Sequence, residues 1–229
     1  ATKQLQPVAD DNLLDEVTGL VEWPNVIMGQ IETEFMSLPP EVLVTSMRVH
    51  QKFFALSQKG ATENLAPFFM TVTNRRSDLV NDKLIAAGNE RVLRARLADA
   101  KFFYEQDKQT PLDSLAEKLE VITFYEGLGS VADKAERMAA LAGAIANHLD
   151  AADPDTARRA AVLAKVDLAS EMVGEFPELQ GIMGGYYATA AGEAADVADA
   201  VTQHYRPQGP SDEIPSSLYG RIVALADKI

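Results

Sequence analysis

Apolar residues fall at Leu13, Leu14, Val17, Leu20 and Val21, the spacing of one helical face. Trp23-Pro24 ends that run, because the residue before proline avoids helical angles. Val26, Met28, Ile31, Thr33 and Phe35 then stand against polar neighbours, which predicts a strand over 26–35 with an irregularity near Gly29. Pro39-Pro40 opens a short helix reaching Val49, proline being tolerated in a first turn. The runs Lys52–Leu56 and Leu65–Thr73, joined across the turn-like Gln58-Lys59-Gly60, predict two paired strands. Residues 1–12 show no period and are expected to be a frayed lead-in.

After Asn74 the period changes from two to that of a helix. Ser77–Tyr104 reads as one long helical stretch interrupted at Gly88-Asn89, and beyond Pro111 the only further strand expected is Val121–Tyr125. Alanine is dense over Val131–Ala164 and Ala188–Ala200, which suits closely packed helices. Breaks at Gly129-Ser130, Asp153-Pro154, Phe176-Pro177, Gly192 and 207–215 divide this part into about five helices. The expected fold class is α+β and mostly helical overall: a mixed helix and strand domain over 1–125, then an all-α bundle over 126–229.

Composition narrows the function classes. With 229 residues, 47% apolar and 24% charged, the chain has the make-up of a folded globular protein rather than a fibrous or disordered one. The absence of cysteine excludes a disulfide scaffold and a thiol nucleophile and fits a cytoplasmic, reducing setting. Leu179–Gly192 carries no formal charge but is too short and too rich in glycine to span a membrane. The chain opens on Ala1 and stops at Ile229 within an apolar-periodic run, so it is expected to be an internal piece of a longer protein. The net charge of −13 argues against indiscriminate nucleic-acid binding, yet residues 73–110 hold 8 basic against 6 acidic side chains. A specific basic site inside an acidic body is therefore open.

On a wheel started at Arg91, Val92, Leu93, Leu97, Ala100, Phe103 and Tyr104 share an apolar arc of about 140°. Arg91, Arg94 and Lys101 project from the other side. With Arg75 and Arg76 upstream and Phe102 beside them, they make a cationic and stacking surface of the kind used on loop or single-stranded RNA. A solvated helix laced with Glu90, Asp99 and Glu105 explains the same pattern. Arg96 falls inside the apolar arc and needs an acceptor, with Asp99 the nearest local partner for a structural ion pair. His50, His148 and His204 are scattered and read as surface or helix-end groups. Gly181–Gly185 reads as a tight inter-helix turn, and Glu171, Glu175 and Glu178 as a solvated face. No catalytic residue and no metal ligand is assigned.

The segment Asn89–Ala100, continuing into Phe102-Phe103 and Asp107, resembles the signature of the β-subunit of bacterial heterotetrameric glycyl-tRNA synthetase. Glu22-Trp23-Pro24, Glu175–Gly184 and Leu225–Lys228 agree with it, so the resemblance runs from Trp23 nearly to the end. It implies a β-subunit region that supplies tRNA binding, through the acceptor arm, and scaffolding. ATP and Mg would be used by the partner α-subunit, with no cofactor in this region, and the partners would be that α-subunit and tRNA(Gly). The resemblance also implies that the helical bundle is similar to the HD fold, whose metal-dependent members use His, His-Asp and Asp ligands. Lys165-Val166-Asp167 stands where a His-Asp pair is expected and Asp227 resembles the last aspartate, which removes a histidine ligand. The alternatives are a metal-dependent phosphohydrolase of HD type and a pure subunit-assembly module.

Overall fold

A computed structural model describes residues 4–229; the first three residues of the expected lead-in lie outside the described residues. The chain divides into two compact units, Ala1–Phe102 and Phe103–Ile229. It is α+β and mostly helical. No helix among the described residues is long and apolar enough to cross a membrane.

The first unit begins with β1 (Leu5–Pro7), so part of the lead-in is a strand paired with β3 rather than frayed chain. Helix α1 (Asp11–Leu20) starts where the Asp10 carboxylate accepts from the Leu13 amide at 2.9 Å. Strand β2 (Pro24–Gln30) is shorter than the pattern predicted, and Thr33–Ser37 is a 3-10 turn. Ile31 and Phe35, which read as alternating strand positions, are also i and i+4, and the turn buries both at 2% and 3% exposure. Helix α2 (Pro40–Gln51) follows, then β3 (Phe54–Gln58) and β4 (Ala61–Asn74). The four strands form an antiparallel sheet in the order β1-β3-β4-β2. Phe69, fully buried on β4, stacks on Phe53 at 4.5 Å and lies opposite Gly29 of β2, where any Cβ would collide with its ring. That close approach accounts for the glycine within the strand pattern.

Helix α3 (Leu79–Gln109) runs without a break through Gly88. A glycine costs a helix only about 1 kcal/mol, and the burial of Leu93, Leu97 and Ala100 on one face holds the register. The unit boundary falls inside α3, earlier than the 125/126 boundary read from the sequence, because the last turns of α3 pack with the helices that follow.

The second unit holds α4 (Leu112–Lys118), a small hairpin of β5 (Thr123–Tyr125) and β6 (Gly129–Ser130), then α5 (Val131–Ala146) and α6 (Pro154–Leu163). After these come α7 (Glu171–Glu175), α8 (Ile182–Ala190), α9 (Ala195–Gln203) and α10 (Leu218–Lys228). Ser130 and Asp133 form a reciprocal capping box at α5, and Asp153 caps α6 with proline in its first turn. Ala142, Ala157, Ala160, Ala161 and Ala200 are fully buried, so small side chains let these helices approach closely. Gly181–Gly185 is not a separate turn: Gly181, at φ +82°, caps α8, and Gly184 and Gly185 lie in its first turn against Val201 and Thr202 of α9.

Candidate functional site

In the first unit, α3 runs alongside the outer strand β2. Asn25 Nδ2 donates to Asp82 at 3.1 Å and the Gln30 amide donates to Glu90 at 2.9 Å, so two carboxylates of α3 meet the two ends of the strand. Of the five cations singled out from the sequence, Arg75 and Arg76 precede α3, and Arg91, Arg94 and Lys101 lie along it. Arg75 lies 4.0 Å from Asp78, and the Arg76 guanidinium sits 5.0 Å from the ring of Trp23, itself 55% exposed. Asn74 Oδ1 holds that corner by accepting from the amides of Glu22 and Trp23 at 3.2 and 2.8 Å. Arg91, Arg94 and Lys101 lie further on, Arg91 being about 18 Å of helix beyond Leu79.

Arg91 is exposed. Arg94 Nε donates to Glu32, and Lys101 Nζ donates to Glu34 at 3.0 Å, so the residues flanking and forming the 3-10 turn already neutralise two of the cations. Both pairs are largely solvent-exposed, and such pairs contribute only about 0–1 kcal/mol. A stronger anion can therefore displace either glutamate. Phe102 is 62% exposed on the same helix, and Val92, placed on the apolar arc, is 46% exposed. Arg96 is half-buried and Asp99 is exposed, so this helix face is less enclosed than the wheel implied.

The second unit contains a buried polar centre that the sequence pattern left mostly unmarked. Asp107, 4% exposed near the end of α3, accepts at Oδ1 from the Glu171 amide and at Oδ2 from the Met172 amide, both at 3.0 Å. Its Oδ2 also accepts from the Tyr187 hydroxyl at 2.8 Å. Burial pushes the Tyr187 phenol far up, and the Asp107 charge adds to the effect, so Tyr187 remains a donor. Asp167, fully buried, uses Oδ2 to accept from the amides of Gly181 and Gly184, the anion position at the start of α8. Burial raises its carboxyl to about 6 despite those amides.

Beside it, Lys165 is 4% exposed, with Nζ 3.1 Å from Asp227 Oδ2 and 3.7 Å from the centre of the Tyr205 ring. Lys134 reaches Asp227 Oδ1 at 2.7 Å. Burial lowers Lys165 to about 8 while Asp227 works against the shift. Burial acts upward on Asp227, but the Lys165 and Lys134 ammonium groups outweigh it and hold the carboxyl low. His204 is fully buried: Nδ1 lies 2.6 Å from the Val201 carbonyl, which assigns the proton there, and burial lowers the ring to about 3. It stays neutral.

A divalent metal of HD type would need imidazole donors beside Asp167 and Asp227. Lys165 stands in that place instead, with its ammonium already on Asp227, and an ammonium has no lone pair to offer a metal. These residues do not fit such a metal, and among the described residues no group of three His, Asp or Glu is arranged to hold one.

The whole chain, residues 1–229, matches the family model described as glycyl-tRNA synthetase beta subunit. The chain belongs to that family. Among curated relatives it is 50% identical to the glycine–tRNA ligase beta subunit of Phenylobacterium zucineum over 99% of this chain and 34% of the relative. It is 52% identical to that of Rhodospirillum centenum over 96% and 31%, and 46% identical to that of Coxiella burnetii over 100% and 32%. The chain thus spans about a third of the length of these relatives.

Within the glycyl-tRNA synthetase β-subunit family, the segments that carried the resemblance acquire physical roles here. Asp107 of the first segment is the acceptor for α7 and Tyr187, and Glu22-Trp23-Pro24 is the corner held by Asn74. The stretch through Gly184 supplies the amides that solvate Asp167. Spacing alone does not mark Asp107, Asp167 or His204 as buried: Asp107 is signalled only by its place at the end of a recognised segment, and Asp167 only by its place where the resemblance expects a His-Asp pair.

Proposed function

We propose that these residues are an internal region of a glycine–tRNA ligase β-subunit that contacts tRNA(Gly), through the acceptor arm, and scaffolds the assembly with the α-subunit. The ATP- and Mg-dependent chemistry belongs to that α-subunit. The observation that supports tRNA contact is the outward side of α3, where Arg91 is exposed and the carboxylate pairs of Arg94 and Lys101 are solvent-exposed and displaceable. Phosphates fit guanidinium groups bidentately and outcompete single exposed carboxylates. Arg75 and Arg76 form the second contact group, with Trp23 as a stacking surface. Arg96, half-buried, is assigned a structural role with Asp99.

The test uses the intact tetramer. Arg91→Glu with Arg94→Glu should weaken tRNA binding and reduce the slope of log K against log salt by about one for each phosphate no longer bound. Glycine activation should be unchanged. Wild-type tRNA affinity in a correctly assembled variant would instead favour the pure assembly module, a reading to which the engagement of Arg94 and Lys101 by Glu32 and Glu34 already lends weight.

A further inference from the structure

Helix α1 covers only part of one face of the sheet. Leu13 and Val17 bury against Phe54, with Met70 and Val72 packed beside them. The remainder of that face is an open groove of about 430 Å³, walled by Leu14, Val17, Val21, Val26, Met70 and Val72. Its rim is apolar as well: Leu14 is 53% exposed, Val26 59%, and Met28, two residues along the same strand face, 50%. The charged residues that line it are both acidic, Asp10 and Asp11. Asp10 is engaged by Arg48 at 2.9 Å, whereas Asp11 is exposed on the first turn of α1.

We propose that this groove docks an amphipathic segment of the β-subunit's own polypeptide, from outside these 229 residues, that bears an apolar stripe flanked by Lys or Arg. The proposal rests on the family membership and not on the RNA reading. Hydrocarbon walls offer a nucleic-acid backbone no partner, and Asp11, the rim carboxylate not paired with Arg48, disfavours phosphate, so the occupant is protein. Asp11 likewise favours a basic flank. A groove of this volume seats only a few aliphatic side chains, too few by themselves to bury the roughly 1,200–2,000 Å² of surface that a stable interface between separate chains buries. A tethered segment needs less, because its effective concentration reaches the millimolar range. Such chain exists in the relatives, of whose length this chain covers 31–34%. Exposed apolar patches of this kind mark binding sites in soluble proteins.

The experiment uses the full-length β-subunit purified without the α-subunit. A photoreactive benzophenone side chain is placed at Val26, with Glu136, exposed on α5, as the control position. Irradiation and peptide mapping should give a cross-link within one chain, from Val26 to an apolar segment flanked by basic residues and lying outside this region. In parallel, Val26→Cys should react with a maleimide at least tenfold more slowly than Glu136→Cys. If the benzophenone variant loses the subunit's thermal transition, the cysteine comparison and a second probe at Met28 decide. Cross-links to another copy or to co-purifying RNA, no cross-link above the control, or equal labelling rates would overturn the proposal. So would protection that arises only when the α-subunit is added.

Discussion

Asp107→Ala removes one side chain and strands three donors. The amides of Glu171 and Met172 begin the short helix α7, and with the Tyr187 hydroxyl they converge on one carboxylate at 2.8–3.0 Å. A buried donor without an acceptor costs about 1–3 kcal/mol, more where the missing acceptor was charged. Because relaxation lets water reach the Glu171 amide, the sum expected is about 3–5 kcal/mol, at the level of breaking a buried polar network. For a chain of this size each kcal/mol moves the melting temperature by about 2–4 °C, so Asp107→Ala should lower it by about 6–20 °C. Tyr187→Phe leaves the carboxylate both amides and should cost about 1 kcal/mol, or about 2–4 °C. Asp107→Asn should fall between them, since its single carbonyl replaces one oxygen while its amide group faces a donor. Thermal unfolding by circular dichroism of the three variants, with a double-mutant cycle for the Asp107–Tyr187 pair, measures this. Should Asp107→Ala melt within about 2 °C of the parent, or no lower than Tyr187→Phe, the carboxylate is not what organises α7.

Asp167 sets a pH dependence. Its folded carboxyl is raised to about 6 from 3.8, so its ionisation weakens the fold above pH 6, and stability returns as pH falls through 6 towards 3.8. The full difference is about 3 kcal/mol. Asp167→Asn keeps an acceptor for Gly181 and Gly184 without the charge, so it should raise the urea midpoint at pH 7.5 and lose most of that advantage by pH 4.5. An advantage that is constant with pH, or absent at pH 7.5, contradicts the assignment. Gly29→Ala should destabilise by about 1–3 kcal/mol because its methyl meets the buried ring of Phe69, which is itself stacked on Phe53. Chemical denaturation reads the loss directly, and an unchanged midpoint would mean the ring can move aside.

Legibility followed the range of the interactions. The end of α1 before Pro24, the start of α2 at the proline pair, and the β3–β4 pairing were readable because each depends on neighbours within a few residues. Ile31 and Phe35 were ambiguous because alternation and helical spacing coincide at four residues, and burial chose the turn. Gly88 suggests a break by propensity alone, yet its penalty is small against the burial of Leu93, Leu97 and Ala100. At the candidate sites, the cations of α3 were visible by charge, but their engagement by Glu32 and Glu34 requires a turn more than 60 residues earlier in the chain. Asp107, Asp167 and His204 carry no local pattern. Asp107 meets its partners 64, 65 and 80 residues away, and nothing in the spacing marks it as a cap for α7.

The placement of α3 beside β2 also bears on self-association. A sheet ends in an outer strand whose free amides and carbonyls invite another chain to pair, and β2 is such a strand. Its first residue, Pro24, has no amide to give, and at its far end the Gln30 amide is already taken by Glu90. Asp82 stands at Asn25. An approaching strand would find a proline at one end, an occupied donor at the other and a carboxylate near each, in a chain whose net charge of −13 already repels a second copy. The helix therefore protects this margin of the sheet, so that β2 can stand at the rim without recruiting a strand from another copy.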